Sequence, residues 1–140
     1  MKLLLATHGN LGEGLLDSYE MIAGKTENIE IVKLTESGVG DFKENLHNKL
    51  KKLSATEKVL VLCDLKGGTP YNESFMYSLE NPGKIEVITG VNLPMLIEIG
   101  FLAESETDSS LLAETAVNVG KESIEKLISS DETEDNDLGL

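Results

Sequence analysis

The chain has no arginine: all 12 of its basic residues are lysines. That excludes bidentate guanidinium clamps and arginine fingers, so any phosphate handled here is held by backbone N–H groups, hydroxyls or lysine. Cysteine is nearly absent too. Cys63 stands alone, cannot form an internal disulfide, and lies in an apolar run where a buried, inert thiol is expected. Long apolar stretches are missing: Leu3-Leu4-Leu5-Ala6 and Val59-Leu60-Val61-Leu62-Cys63 fall far short of the roughly 20 residues that span a bilayer. The N-terminus lacks the apolar length and cleavage site of a signal peptide, which places the chain in the cytoplasm as an expectation. No group of His, Cys and carboxylates has metal-site spacing, so no metal and no cofactor are expected.

Positive charge is scarce. Twenty-five acids face 12 bases, for a net charge of −13, and five of the acids fall in the last ten residues. The remaining body still has an excess of eight negative charges. Such a surface repels nucleic acid and anionic membranes and favours basic protein partners.

What is present reads as one domain, since 140 residues with 40% hydrophobic content suffice for a single core. The two uninterrupted apolar runs read as buried central strands. Ile29-Glu30-Ile31-Val32-Lys33-Leu34 and Ile85-Glu86-Val87-Ile88 are broken by charge and read as strands nearer the sheet edges. Helical patterns lie between them. Leu11, Leu15, Leu16, Tyr19 and Ile22 form one, and Val39, Phe42, Leu46, Leu50 and Leu53 another. A third helix is expected to start with Thr69 as N-cap and Pro70 at its first position, and a fourth at Asn92 and Pro94. A long fifth carries Leu112, Ala116, Val119 and Leu127, flanked by Ala113, Val117, Ile124 and Ile128. We expect a domain over residues 1–128 and an acidic, disordered tail over 129–140.

Alternating strands and helices imply an α/β fold, a doubly wound and mostly parallel sheet with helices on both faces. With the uninterrupted runs central, the strand order is 2-1-3-4. The topological switch point then falls between the first and third strands, where ligands bind beyond the strand ends. Two segments meet there: Thr7-His8-Gly9-Asn10 and Asp64-Leu65-Lys66-Gly67-Gly68-Thr69. A histidine at a strand end can be merely structural. Here Asp64 leaves the neighbouring strand at the matching position, and its carboxylate could hold one ring nitrogen and leave the other nucleophilic. Gly67-Gly68-Thr69-Pro70 is a glycine turn entering a helix N-terminus, which suits an anion. It is not a P-loop, and Gly9, Gly12 and Gly14 do not have dinucleotide-binding spacing. No nucleophile elbow for a serine exists. His47, flanked by Glu44 and Lys51 on the second helix, reads as a surface histidine, and Lys66 as a loop lysine that could attract phosphate.

Three stretches in order resemble the mannose-family enzyme IIA of the phosphoenolpyruvate-dependent sugar phosphotransferase system. They are Ala6-Thr7-His8-Gly9, Cys63-Asp64-Leu65-Lys66-Gly67-Gly68-Thr69-Pro70, and Thr89-Gly90-Val91-Asn92-Leu93-Pro94-Met95-Leu96. The resemblance implies that His8 is phosphorylated by phospho-HPr and passes the group to a IIB component, with indirect association to the membrane IIC and IID components. It implies that Asp64 orients His8 and that Gly67, Gly68 and Thr69 contact phosphate. It further implies a homodimer with a fifth edge strand exchanged between subunits, expected over residues 104–110, and IIB on a separate chain. A phosphoryl-donor subunit of dihydroxyacetone kinase shares the fold and is also a His-phosphorylated carrier, but Gly90-Val91-Asn92-Leu93-Pro94-Met95 favours the sugar-transport branch. A histidine phosphatase or mutase needs an arginine beside its nucleophile, and here Thr7 precedes His8. A non-catalytic regulatory module of the same fold is disfavoured by intact His8 and Asp64.

Overall fold

Leu3, Leu4, Leu5 and Ala6 are all fully buried, although successive strand residues point to opposite faces. Both faces of their strand must therefore be covered. The computed structural model, which describes residues 1–129, shows how. β1 (Lys2–His8), α1 (Leu11–Ala23), β2 (Ile29–Leu34), α2 (Val39–Ser54), β3 (Val59–Cys63), α3 (Thr69–Glu80), β4 (Ile85–Ile88), α4 (Leu93–Leu102) and α5 (Ser109–Glu122) follow in that order. All strand pairings are parallel, and the sheet order is β2-β1-β3-β4.

Alternate residues divide the interior into two layers. Leu3, Leu5, Leu60, Leu62 and Ile88 pack with Tyr19 of α1, Leu96 and Ile99 of α4, and Leu112 and Ala116 of α5. Leu4, Ala6, Val59, Val61 and Cys63 pack on the other face with Phe42, Leu46, Leu50 and Leu53 of α2. Burial on both faces explains why β1 and β3 carry no charge inside their apolar runs. The lateral strands keep Glu30, Lys33 and Glu86 at partly buried positions.

Three expectations change. The third helix begins at Thr69, so the capping position belongs to Gly68 (φ −74°, ψ 165°), and no side chain caps it. The fifth helix stops at Glu122, short of Leu127. Ser123 Oγ donates to the Gly120 carbonyl at 2.7 Å and Asn92 Nδ2 donates to the same oxygen at 3.1 Å, which satisfies the helix end. The chain then runs on without regular structure, leaving Ile124, Leu127 and Ile128 exposed. Finally, residues 104–110 form no strand in the single chain, since Ser109 and Ser110 already belong to α5. Ser105 and Glu106 turn back onto the Leu102 carbonyl, and Asp108 caps α5 through the Leu111 N–H. The acidic run at 131–137 lies outside the described residues.

Candidate functional site

The register of the sheet brings the site together. Ala6 of β1 lies opposite Cys63 of β3, so His8 and Asp64 emerge side by side at the carboxyl ends of the two central strands. One carboxylate makes two kinds of bond to this histidine. Asp64 Oδ2 accepts the His8 backbone N–H at 2.9 Å, and the ring Nδ1 lies 3.0 Å from Oδ2 and 3.2 Å from Oδ1. An ionised carboxylate only accepts, so in the neutral ring this contact selects the tautomer protonated at Nδ1, with the lone pair on Nε2. The His8 side chain is 44% exposed, whereas that of Asp64 is 11% exposed. The carboxylate is thus sheltered, while the imidazole faces solvent.

The turn after His8 is braced from below. Gly9 takes a positive φ of 55° and donates its N–H to the Leu34 carbonyl at 2.7 Å. Thr7 is fully buried, and its Oγ1 accepts the Gly12 N–H at 2.9 Å, tying β1 to the first turn of α1. On the β2 side, Lys33 Nζ reaches Asn10 Oδ1 at 3.2 Å and Glu13 Oε1 at 2.7 Å.

The glycine turn forms the other wall. Gly67 has a φ of 82°, a left-handed conformation that glycine adopts without strain. Gly68 lies against the His8 ring: a Cβ placed there would meet Cε1 at 2.9 Å. Thr69, half-buried, follows Gly68 as the first residue of α3. Asn72, which the sequence reading passed over, donates its side-chain N–H to the Gly67 carbonyl at 3.0 Å. Lys66 is exposed in the same loop. His47 lies elsewhere, between α2 and α3, 3.7 Å from Glu73 and tilted against Tyr77. A polar cleft of about 740 Å³ between β2 and α2 contains none of His8, Asp64 or the glycine turn. Among the described residues no group of three or more His, Cys, Asp or Glu could hold a metal ion, and no helix is long and apolar enough to cross a membrane.

The sequence pattern of the family described as "EIIA-man: PTS system fructose IIA component" matches residues 2–117, which takes in the whole site. This chain belongs to the mannose-type enzyme IIA family. Relatives of known name agree with that membership. The "PTS system mannose-specific EIIAB component" of Escherichia coli K12 is 33% identical over 129 residues, covering 89% of this chain and 39% of that protein. The chain therefore spans about two fifths of the length of that relative. The "PTS system fructose-specific EIIA component" of Bacillus subtilis is 32% identical over 105 residues, covering 74% of this chain and 71% of that one. In three dimensions this enzyme IIA chain is similar to the mannose/sorbose-specific IIA subunit from Enterococcus faecalis. The TM-score is 0.80 at 32% identity, covering 91% of this chain and 95% of that one.

Proposed function

We propose that this enzyme IIA is a phosphoryl carrier, taking the group from phospho-HPr onto His8 Nε2 and passing it to a IIB component for coupled sugar uptake. The observation that carries this reading is the His8–Asp64 pair, with Nδ1 tied at 3.0 Å and the opposite nitrogen free. In the step, the Nε2 lone pair attacks phosphorus while the donor's N–P bond breaks and returns its electron pair to the donor nitrogen. One phosphoramidate replaces another, so the exchange requires neither ATP nor a metal ion. The phosphorylated ring, still protonated at Nδ1, is cationic, and Asp64 balances that charge. The transition state needs positioning and charge stabilisation, for which the Gly67-Gly68-Thr69 turn and the start of α3 offer N–H groups and a hydroxyl. An exposed nucleophile suits a reaction partner that is itself a protein and excludes water by docking. The carrier would meet this donor and acceptor in the cytoplasm. The joined EIIAB name of the Escherichia coli relative supports IIB as the acceptor.

The same reading includes a homodimer. β4 is a sheet edge, and Glu86, Ile88, Ala113 and Val117 line a groove between it and α5. The exposed, non-helical segment carrying Ile124, Leu127 and Ile128 follows α5 and is the better candidate for an exchanged strand than residues 104–110. Light scattering should then give the mass of two chains, and a monomer at micromolar concentration would remove this part of the reading.

The test of the carrier itself uses phosphoenolpyruvate, enzyme I and HPr. The protein should gain one phosphoryl mass, lose it on mild acidification and keep it at high pH, as a phosphoramidate does. His8→Gln should abolish labelling, and His47→Gln should leave it intact. Equal loss in both variants with the fold intact, an acid-stable label, or labelling by ATP alone would overturn the assignment.

A further inference from the structure

The two adjacent glycines of the β3–α3 turn are glycine for different reasons. Gly67 has a φ of 82° and open space where a Cβ would sit, so its backbone conformation is what demands glycine. Gly68 is the reverse. Its φ of −74° and ψ of 165° are open to any residue, yet a Cβ there would lie 2.9 Å from His8 Cε1, 3.5 Å from His8 Nε2 and 3.3 Å from the Leu65 carbonyl oxygen. The Leu65 oxygen is backbone and cannot retreat far, so the imidazole would have to move. His8 thus rests on the bare Cα of Gly68, with Asp64 gripping Nδ1 and the backbone N–H of the same residue.

This seat is itself held. The Asn72 side chain donates to the Gly67 carbonyl at 3.0 Å, its backbone N–H donates to the Gly68 carbonyl at 2.9 Å, and Gly68 N–H donates to Leu65 O at 3.1 Å. Asn72 therefore fixes both glycine carbonyls from within the first turn of α3.

We propose that Gly68 is a positioning residue whose missing side chain seats the His8 ring on Asp64 and so selects Nε2 as the reacting nitrogen, with Asn72 holding the seat. The proposal rests on the carrier reading for its kinetic consequence but not for its geometric one. A ring lifted off the seat loses its carboxylate grip, both nitrogens become free to carry the proton, and Nδ1 becomes a competing nucleophile.

The decisive measurement is nitrogen-15 NMR of the His8 ring in the unphosphorylated protein, which needs no transfer reaction. The native chain should show one neutral tautomer, protonated at Nδ1. Gly68→Ala should show a mixture, whereas Gly67→Ala, which strains the backbone but reaches no ring atom, should keep the single tautomer. After phosphorylation through HPr, phosphorus NMR should find the label on Nε2 alone in the native chain and on both nitrogens in Gly68→Ala. The kcat for transfer in that variant should fall on the order of 10²-fold at little-changed KM, as expected for a misplaced reacting group. Asn72→Ala, which introduces no clash, should shift the tautomer in the same direction and so carries the test if Gly68→Ala does not fold. A single Nδ1–H tautomer in both folded variants would overturn the seat. Failure of the native chain to accept phosphate, with the tautomer shifts present, would instead overturn the carrier reading and leave the seat standing.

Discussion

A carboxylate that binds both the backbone and the ring of one histidine leaves the side chain little freedom, and Asp64 does this for His8. The amide of Asp64→Asn can still accept the Nδ1 proton but no longer balances a cationic phosphorylated ring. We expect that variant to fold normally and to transfer more slowly by something on the order of 10²–10⁴-fold, the range for positioned acid–base groups. Unchanged rates with both HPr and IIB would reduce Asp64 to a loop cap. One residue back, Cys63 is fully buried beside Ser74, and burial pushes its thiol up to about 12 from 9.0, with the Asp64 charge adding to the rise and the Ser74 hydrogen bond opposing it. The folded chain therefore keeps a proton that the unfolded chain loses above pH 9. Stability is intact below that pH and falls as pH climbs from about 9 towards 12, by at most about 1.4 kcal/mol per pH unit for one group. Burial raises the Tyr19 hydroxyl in the same direction. Urea midpoints between pH 7 and 11 should fall less steeply for Cys63→Ala than for the native chain; equal slopes would remove Cys63 from the alkaline response. At this scale the sequence disclosed that His8 and Asp64 lie side by side, because strand ends beside a switch point can be found by counting. It did not disclose Gly68 as a seat or Asn72 as its holder, because those roles depend on where an imidazole lies in space.

Helix-to-helix contact supplies the next constraint. α1 and α4 approach so closely that a Cβ on Gly100 would lie 2.5 Å from Tyr19 Cε2 and 2.6 Å from its hydroxyl. Alanine is the better helix former by roughly 0.8–1.0 kcal/mol, but overpacking a filled core costs about 1–3 kcal/mol. Because Tyr19 is buried and packed within the core on this face of the sheet, the clash should win. Gly100→Ala is expected to lower stability, while Gly14→Ala, on α1 with nothing within 4 Å, should raise it by a few tenths to 1 kcal/mol. Denaturant midpoints of the same sign for both would contradict this account. The strands were legible because unbroken and charge-interrupted apolar runs separate central from lateral positions, and that separation also yields the order 2-1-3-4. The end of α5 was not. Ile124, Leu127 and Ile128 continue the apolar spacing, yet the bonds that end the helix at Glu122, donated to the Gly120 carbonyl by Asn92 and Ser123, come partly from the loop before α4. The start of α3 moved by one residue for a similar reason, since Gly68 O already accepts the Asn72 N–H and so begins the helical ladder.

For the molecule as a whole, the governing quantity is charge. An excess of 13 negative charges and a complete lack of arginine mean that the chain attracts basic surfaces over distance but cannot clamp a phosphoryl group through guanidinium forks. Long-range attraction of this kind acts on association rates, so kcat/KM for transfer from HPr should fall as salt rises while kcat holds nearly constant. The last ten residues supply five of the acids, and the preceding body keeps an excess of eight. Which of the two steers the donor can be decided by truncation. At physiological salt, exposed charges farther apart than about 8 Å are largely screened from one another. Truncation after Ser129 should accordingly leave the melting temperature and the transfer rate at physiological salt nearly unchanged. At low salt, where the screening length grows to about 30 Å at 0.01 M, the truncated chain should associate somewhat more slowly than the full one. A large loss of melting temperature would show that the segment docks on the body. A large loss of transfer at physiological salt would show that it touches HPr or IIB directly, and either result would move it from a charge reservoir to a working part of the carrier.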